Sequence, residues 1–122
     1  MTKKKILIVE GDITLAEKLA DRLQEEDFTA EPVVDGKKAL NKVRNEWMDA
    51  IILSLKLQGE MDGFQFFKEL KSDEELSDIP VLIESDKPGM KEVFRDLGAE
   101  TFFVKPYSAD KLIEKVKQVL KG

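Results

Sequence analysis

The chain has 122 residues, 42% of them hydrophobic and 37% charged, a balance that suits one folded, well-solvated domain and excludes a disordered segment. Its formal charge of −5 opposes DNA phosphates and anionic membranes, so neither nucleic acid nor membrane is an expected partner of this domain. With no cysteine and no histidine, disulfide frameworks, thiol or imidazole catalysis and the usual zinc ligand sets are excluded, and no apolar run approaches the ~20 residues that span a bilayer.

The single basic run, Lys3-Lys4-Lys5, abuts a strand and reads as a solvated strand entrance. Lys5-Ile6-Leu7-Ile8-Val9 is a continuous β-branched run, the pattern of a strand buried on both faces of a parallel sheet. Asp12 offers an N-cap to a helix near 13–26, marked by Leu15, Ala16, Leu19, Ala20 and Leu23. Phe28 to Val34 reads as a second strand, and Asp35-Gly36 as a turn. Ala39, Leu40, Val43 and Trp47 mark a second helix, and Ala50-Ile51-Ile52-Leu53 a third strand. A loop with Gly59, Asp62 and Gly63 leads into a helix carrying Phe64, Phe67 and Leu70.

Ile79-Pro80-Val81-Leu82-Ile83 reads as a fourth strand with its proline at the entrance, where a missing amide donor is tolerated. Pro88-Gly89 breaks the chain before a short fourth helix with Met90, Val93, Phe94 and Leu97. Thr101-Phe102-Phe103-Val104 is a fifth strand. Ser108 caps a closing helix with Leu112, Ile113, Val116, Val119 and Leu120, and the chain stops soon after it, as a free-standing domain or one cut cleanly from a longer protein would.

Five alternations of strand and helix predict an α/β fold, a doubly wound parallel sheet with helices on both faces, because parallel strands need crossover helices. In such sheets the functional crevice lies beyond the C-terminal strand ends. That rule selects Glu10, Gly11 and Asp12, then Ser54, Glu84, Ser85 and Lys105. A half-buried lysine needs an anionic partner, since an uncompensated buried charge costs about 3–5 kcal/mol. Glu10 is the nearest carboxylate in this layout.

Over its whole length, 1–122, the sequence resembles the receiver domain of two-component response regulators. The matching stretches are Ile6-Leu7-Ile8-Val9-Glu10, Asp35-Gly36, Asp49 to Leu57, Met61-Asp62-Gly63, Ile79-Pro80-Val81, Gly98-Ala99 and Lys105-Pro106. The resemblance implies a single domain, a five-stranded sheet in the order 2-1-3-4-5 and a cis Lys105-Pro106 bond that aims the lysine. In working members an aspartate ending the third strand accepts a phosphoryl group and acidic residues after the first strand help hold magnesium. Carried over, Ser85 and Lys105 are kept and Glu10 fills the first acidic position. Gly11 fills the direct metal-ligand position and Ser54 the phosphoacceptor position.

These departures imply a degenerate site. A serine hydroxyl is a weak nucleophile without a general base beside it. Magnesium demands hard oxygen ligands, and each carboxylate lost at ~4 Å forfeits roughly 4 kcal/mol per unit of partner charge at an effective dielectric of 20. Magnesium binding is therefore expected to be weak or absent, and no other cofactor is called for. The loop Gly59-Glu60-Met61 is longer than the family's, the stretch from Ser85 to Gly98 is shorter, and Phe102 stands where a switching aromatic lies.

The leading expectation is a cytoplasmic signalling module, not an enzyme, that binds a protein partner through the fourth helix, fifth strand and fifth helix, with Phe102 and Tyr107 on the switch and interaction face. Phe94 and Phe103 are expected in the core. The alternative keeps phosphoryl acceptance at a non-standard residue such as Ser54, Asp12 or Asp62. A third reading is a Ser54–Lys105 catalytic dyad, for which no oxyanion-hole pattern or second base is visible.

Overall fold

The computed structural model describes residues 2–121; the expected domain limits of 1–122 include Met1 and Gly122, which lie outside the described residues. The five strands are β1 (Lys5–Val9), β2 (Thr29–Val33), β3 (Ala50–Ser54), β4 (Val81–Ser85) and β5 (Thr101–Val104). All pair in parallel, in the order β2-β1-β3-β4-β5. The helices are α1 (Ile13–Glu25), α2 (Gly36–Asn45), α3 (Gly63–Ser72), α4 (Lys91–Asp96) and α5 (Ala109–Val119). The doubly wound fold is the one expected from the strand–helix alternation, and the strand order is the one the resemblance implies.

The sheet has a core on each side. Leu7, Val9, Ile51, Leu53, Val81 and Ile83 pack against the side bearing α2, α3 and α4. Ile6, Ile8, Ala50, Ile52 and Leu82 pack against α1 and α5. This alternation follows from the two-residue period of a strand, and it explains why the central strands are apolar without interruption. Each fully buried Ile or Leu contributes about 1.5–3 kcal/mol.

Polar residues at the helix starts do the capping. Asp12 Oδ1 accepts from the Leu15 amide at 3.2 Å, Asp35 Oδ1 from the Lys38 amide at 3.0 Å, and Ser108 Oγ from the Lys111 amide at 3.4 Å. At α3, Asp62 Oδ1 accepts from the Gln65 amide at 2.8 Å, and Gln65 Oε1 accepts from the Asp62 amide at 3.1 Å, a reciprocal capping box. α4 is brief: Pro88–Met90 form a 3₁₀ turn and six helical residues follow. Phe94 anchors it, fully buried and edge-on to Phe64 and Phe67 at 5.5 and 5.3 Å.

Several expected boundaries shift. α1 ends at Glu25, and β2 starts at Thr29 because Asp27 adopts a left-handed φ of 73° that turns the chain first. β4 starts at Val81, leaving Ile79 and Pro80 outside it, although the Pro80 carbonyl still accepts from the Ile51 amide. Trp47 does not belong to the α2 face. Glu46 takes an extended backbone and ends the helix, Met48 fills the core place, and Trp47 is left 67% exposed. Its indole N–H donates to Asp49 Oδ1 at 2.9 Å, at the end of the sheet away from the β3 C-terminus.

Candidate functional site

Beyond the C-terminal ends of β1, β3, β4 and β5 lies a cleft of about 410 Å³ lined by Glu10, Gly11, Asp12, Ser54, Ser85 and Lys105, among others. The predicted site residues therefore do converge. Glu10, Ser54, Glu84 and Ser85 are all buried, the only polar or charged residues so deeply covered among those described.

The cleft is closed on one side by the loop that follows β3. The Gly11 amide donates to the Lys56 carbonyl at 3.0 Å, and Gln58 Nε2 donates to the Gly11 carbonyl at 2.8 Å. A Cβ on Gly11 would lie 2.6 Å from the Lys56 carbonyl oxygen, a clash, and 3.1 Å from the Leu57 Cα. Gly63 allows a similar approach at the other end of the loop: a Cβ there would sit 2.3 Å from the Ser54 carbonyl. The loop backbone thus fills the space where side chains at 11 and 63 would be.

Ser54 and Ser85 both use their hydroxyl oxygens locally. Ser54 Oγ accepts from the Lys56 amide at 3.4 Å, and Ser85 Oγ from the Lys87 amide at 3.0 Å. Lys105 follows β5 and precedes Pro106 through a cis peptide bond. Its ammonium does not reach Ser54. It donates to Glu10 Oε1 at 2.8 Å and lies 3.7 Å from Glu84 Oε1. Glu10 Oε2 accepts from the Asp12 amide at 3.1 Å.

Glu84 is the residue whose importance the sequence does not announce. It shares a strand face with Leu82, pointing toward α1 and α5, and is 1% exposed. Tyr107 donates its hydroxyl hydrogen to Glu84 Oε2. Glu84 Oε1 is buried without a hydrogen-bond donor. An acid inside the run Val81–Ser85, on a face otherwise apolar, was the available signal.

The electrostatics follow from this layout. Burial first, and then the neighbouring Glu10, push the Glu84 carboxyl up to about 7, against the opposing pull of Tyr107 and Lys105. Burial would also raise Glu10, but hydrogen bonds from Glu84, Lys105 and the Asp12 amide outweigh it and hold that carboxyl below its ordinary value. Burial would lower Lys105, yet Glu10 and Glu84 more than offset it and raise it. Tyr107 is raised strongly by burial and by the charge of Glu84.

Tyr107 and Phe102, expected on one switch face, are separated by the sheet. Phe102 is half-buried on the α4 side, 6.1 Å from the Phe94 ring. Tyr107 packs on Phe103 at 5.6 Å on the opposite side. Strand alternation sends 102 and 103 to opposite faces, and Tyr107 follows Phe103. Phe94 is in the core as expected, and Phe103 is half-buried against it on the other face.

These donors do not fit a magnesium ion. Position 11 has no side chain and no space for one, both Glu10 oxygens are engaged by the Lys105 ammonium and the Asp12 amide, and Asp12 caps α1. Among the described residues, no group of three or more acidic, histidine or cysteine side chains is placed to hold a metal.

Comparison with known proteins places this geometry. A family model described as response regulator receiver domain matches residues 6–117. The sensory transduction protein RegX3 of Mycobacterium tuberculosis is 37% identical over 118 residues, which cover 95% of this chain and 50% of that protein. The phosphate regulon transcriptional regulatory protein PhoB of Escherichia coli is 30% identical over 120 residues, covering 97% and 52%. The chain thus spans about half the length of these curated relatives. A putative response regulator from Chloroflexus aurantiacus superposes with a TM-score of 0.90 at 25% identity, over 99% of this chain and all of that one. The chemotaxis response regulator CheY4 of Vibrio cholerae superposes with a TM-score of 0.87 at 27% identity, over 98% and 100%.

Proposed function

The chain belongs to the response regulator receiver domain family, and on that premise we propose that it works as a single pseudo-receiver domain, a phosphorylation-independent protein-interaction module in signal transduction. The observation that carries this reading is Ser54. A buried hydroxyl that accepts from the Lys56 amide stands at the end of β3, where the family resemblance calls for an ionised aspartate. No carboxylate or lysine hydrogen-bonds to it among the described residues, so nothing there removes its proton. The walled-in Gly11 supports the same reading, because the cation that would neutralise a phosphoryl donor has no ligand at that position. Lys105, engaged by Glu10, offers Ser54 no help as a base, which speaks against an enzyme.

The partner is a protein. Val93 on α4, Leu97 at its C-cap and Val104 on β5 are exposed apolar side chains, and they give the edge formed by α4, β5 and α5 the apolar centre a docking surface needs. The net charge of −5 speaks against nucleic acid or membrane contact by this domain, and no described helix is long and apolar enough to cross a membrane. The cytoplasm is the compartment we propose.

The test is intact-mass measurement after incubation with magnesium and a small phosphoryl donor, with amide spectra recorded in parallel. An unchanged mass and unmoved amides at Ser54 and Ser85 are expected. A phosphoryl adduct with large shifts at those residues overturns the proposal.

A further inference from the structure

Leu15, Lys18, Leu19 and Arg22 stand at i, i+3, i+4 and i+7 of α1 and form one stripe of that helix. Between this stripe and the corner that leads from β5 into α5 lies a groove of about 620 Å³, walled by Leu15, Leu19, Pro106, Tyr107 and Ala109. It adjoins the strand-end cleft and shares only Leu15, Asp86 and Lys105 with it. Leu15, Tyr107 and Ala109 are half-buried, so the chain's own side chains leave this apolar space unfilled.

Ion pairs stand at both ends of the groove. Arg22 on α1 reaches Asp110 on α5 at 2.6 Å, and Asp86, at the end nearest the strands, is paired with Lys56 at 3.2 Å. A space bounded in this way suits a small molecule better than a helix, which needs an open channel. The volume falls within the roughly 300–1,000 Å³ of small-molecule sites.

The charges at the rim select the head group. Three cations, Lys18, Arg22 and Lys105, line the groove against one anion, Asp86, in a chain whose net charge is −5. Arg22 is held by Asp110, Lys105 by Glu10, and Asp86 by Lys56. Lys18 is exposed and, among the described residues, makes no ion pair. An anion there gains a countercharge without displacing one, and it does so beside an apolar wall.

We propose that this groove binds a small amphipathic carboxylate, its hydrocarbon tail against Leu15, Leu19, Pro106 and Ala109 and its carboxylate on Lys18. The tail also rests on Tyr107, the residue whose hydroxyl donates to Glu84. The ligand therefore reaches the β5–α5 corner from outside the strand-end cleft. As an input to the domain it needs neither Ser54 nor a metal, and it is independent of whether Ser54 accepts phosphate.

The experiment is a titration of the full chain with butanoate, hexanoate and octanoate, each below its micellar concentration, followed by amide spectra. Saturable shifts are expected at Leu15, Lys18, Tyr107 and Ala109, with Kd falling about fourfold for each added methylene. Lys18→Met keeps the apolar stem and removes the charge, so it should weaken octanoate about two- to fivefold and leave 1-octanol unchanged. Ala109→Leu fills the groove and should abolish binding of both. No saturable shift, shifts centred on another face, or an affinity that ignores chain length overturns the site. Equal effects of Lys18→Met on octanoate and 1-octanol overturn the carboxylate as the ligand class. Should either variant fail to fold, wild-type protein titrated with octanoate and with octylammonium decides alone: a cation that binds as tightly as the carboxylate overturns the proposal.

Discussion

The amide of Gly11 donates to the carbonyl of Lys56 at 3.0 Å, and the hydrogen on the Gly11 Cα that a side chain would replace points at that same carbonyl. The absence of a carboxylate at 11 is therefore built into the path of the loop after β3. Restoring an acidic side chain there would collide with backbone, which cannot swing aside as a flexible side chain would.

Gly11→Asp should accordingly destabilise the fold by about 1–3 kcal/mol, the usual cost of forcing atoms into filled space. It should not restore a response to magnesium, even when combined with Ser54→Asp. Urea unfolding with and without magnesium checks both parts. A rise in midpoint with magnesium in the double variant would count against the description of the loop as fixed.

Glu84 makes stability depend on pH in a direction opposite to ordinary acid denaturation. Its folded value of about 7 stands above the unfolded 4.5. The folded protein binds the extra proton between those limits, so stability falls as pH rises from 4.5 to about 7 and then levels off. The loss is roughly 3 kcal/mol. Glu84→Leu should abolish it and unfold at a higher temperature than the wild type above neutrality, with a smaller difference at mildly acidic pH. Thermal melts of both proteins across the range provide the comparison.

Removing the cation exposes the other half of the balance. Lys105→Met leaves Glu10, 3% exposed at its side chain, without its countercharge. A cost of roughly 3 kcal/mol is expected, the lower end for breaking a buried pair because Lys105 itself is partly solvated. Adding Glu10→Gln should recover most of it. A double-mutant cycle by urea unfolding above neutral pH measures this coupling.

Asp62 illustrates an acid with a structural task. Its side chain and that of Gln65 satisfy each other's backbone amides at the start of α3. Asp62→Ala should cost ~1 kcal/mol, and intact mass after exposure to a phosphoryl donor should be the same with or without it.

Most of the fold was legible because a parallel sheet buried on both faces leaves uninterrupted apolar runs, as in Ile6–Val9 and Ala50–Leu53. The site positions followed from the rule that such sheets present their crevice at the strand C-termini, and the Lys105–Glu10 pair followed from that layout together with the need of a half-buried lysine for a nearby carboxylate. Trp47 was misplaced because its spacing continues the α2 period, whereas the extended backbone at Glu46 ends the helix just before it. Glu84 was named only as a strand-end residue. Its burial depends on Tyr107 folding back across the sheet edge, and that contact joins residues 23 apart in sequence. Periodicity describes one element at a time and carries no trace of it.

The sequence holds one tryptophan and one tyrosine, and the fold sends them to opposite poles. Trp47 stands in solvent before β3 begins, and Tyr107 leans on the carboxyl of Glu84 beyond the opposite strand ends. The molecule therefore carries two optical reporters placed at opposite ends of the sheet. Indole emission follows the α2–β3 corner and global unfolding, while phenol absorption is sensitive to the state of the buried acid. A change in the second without the first would mark an event confined to the crevice in an otherwise intact fold, with no label attached.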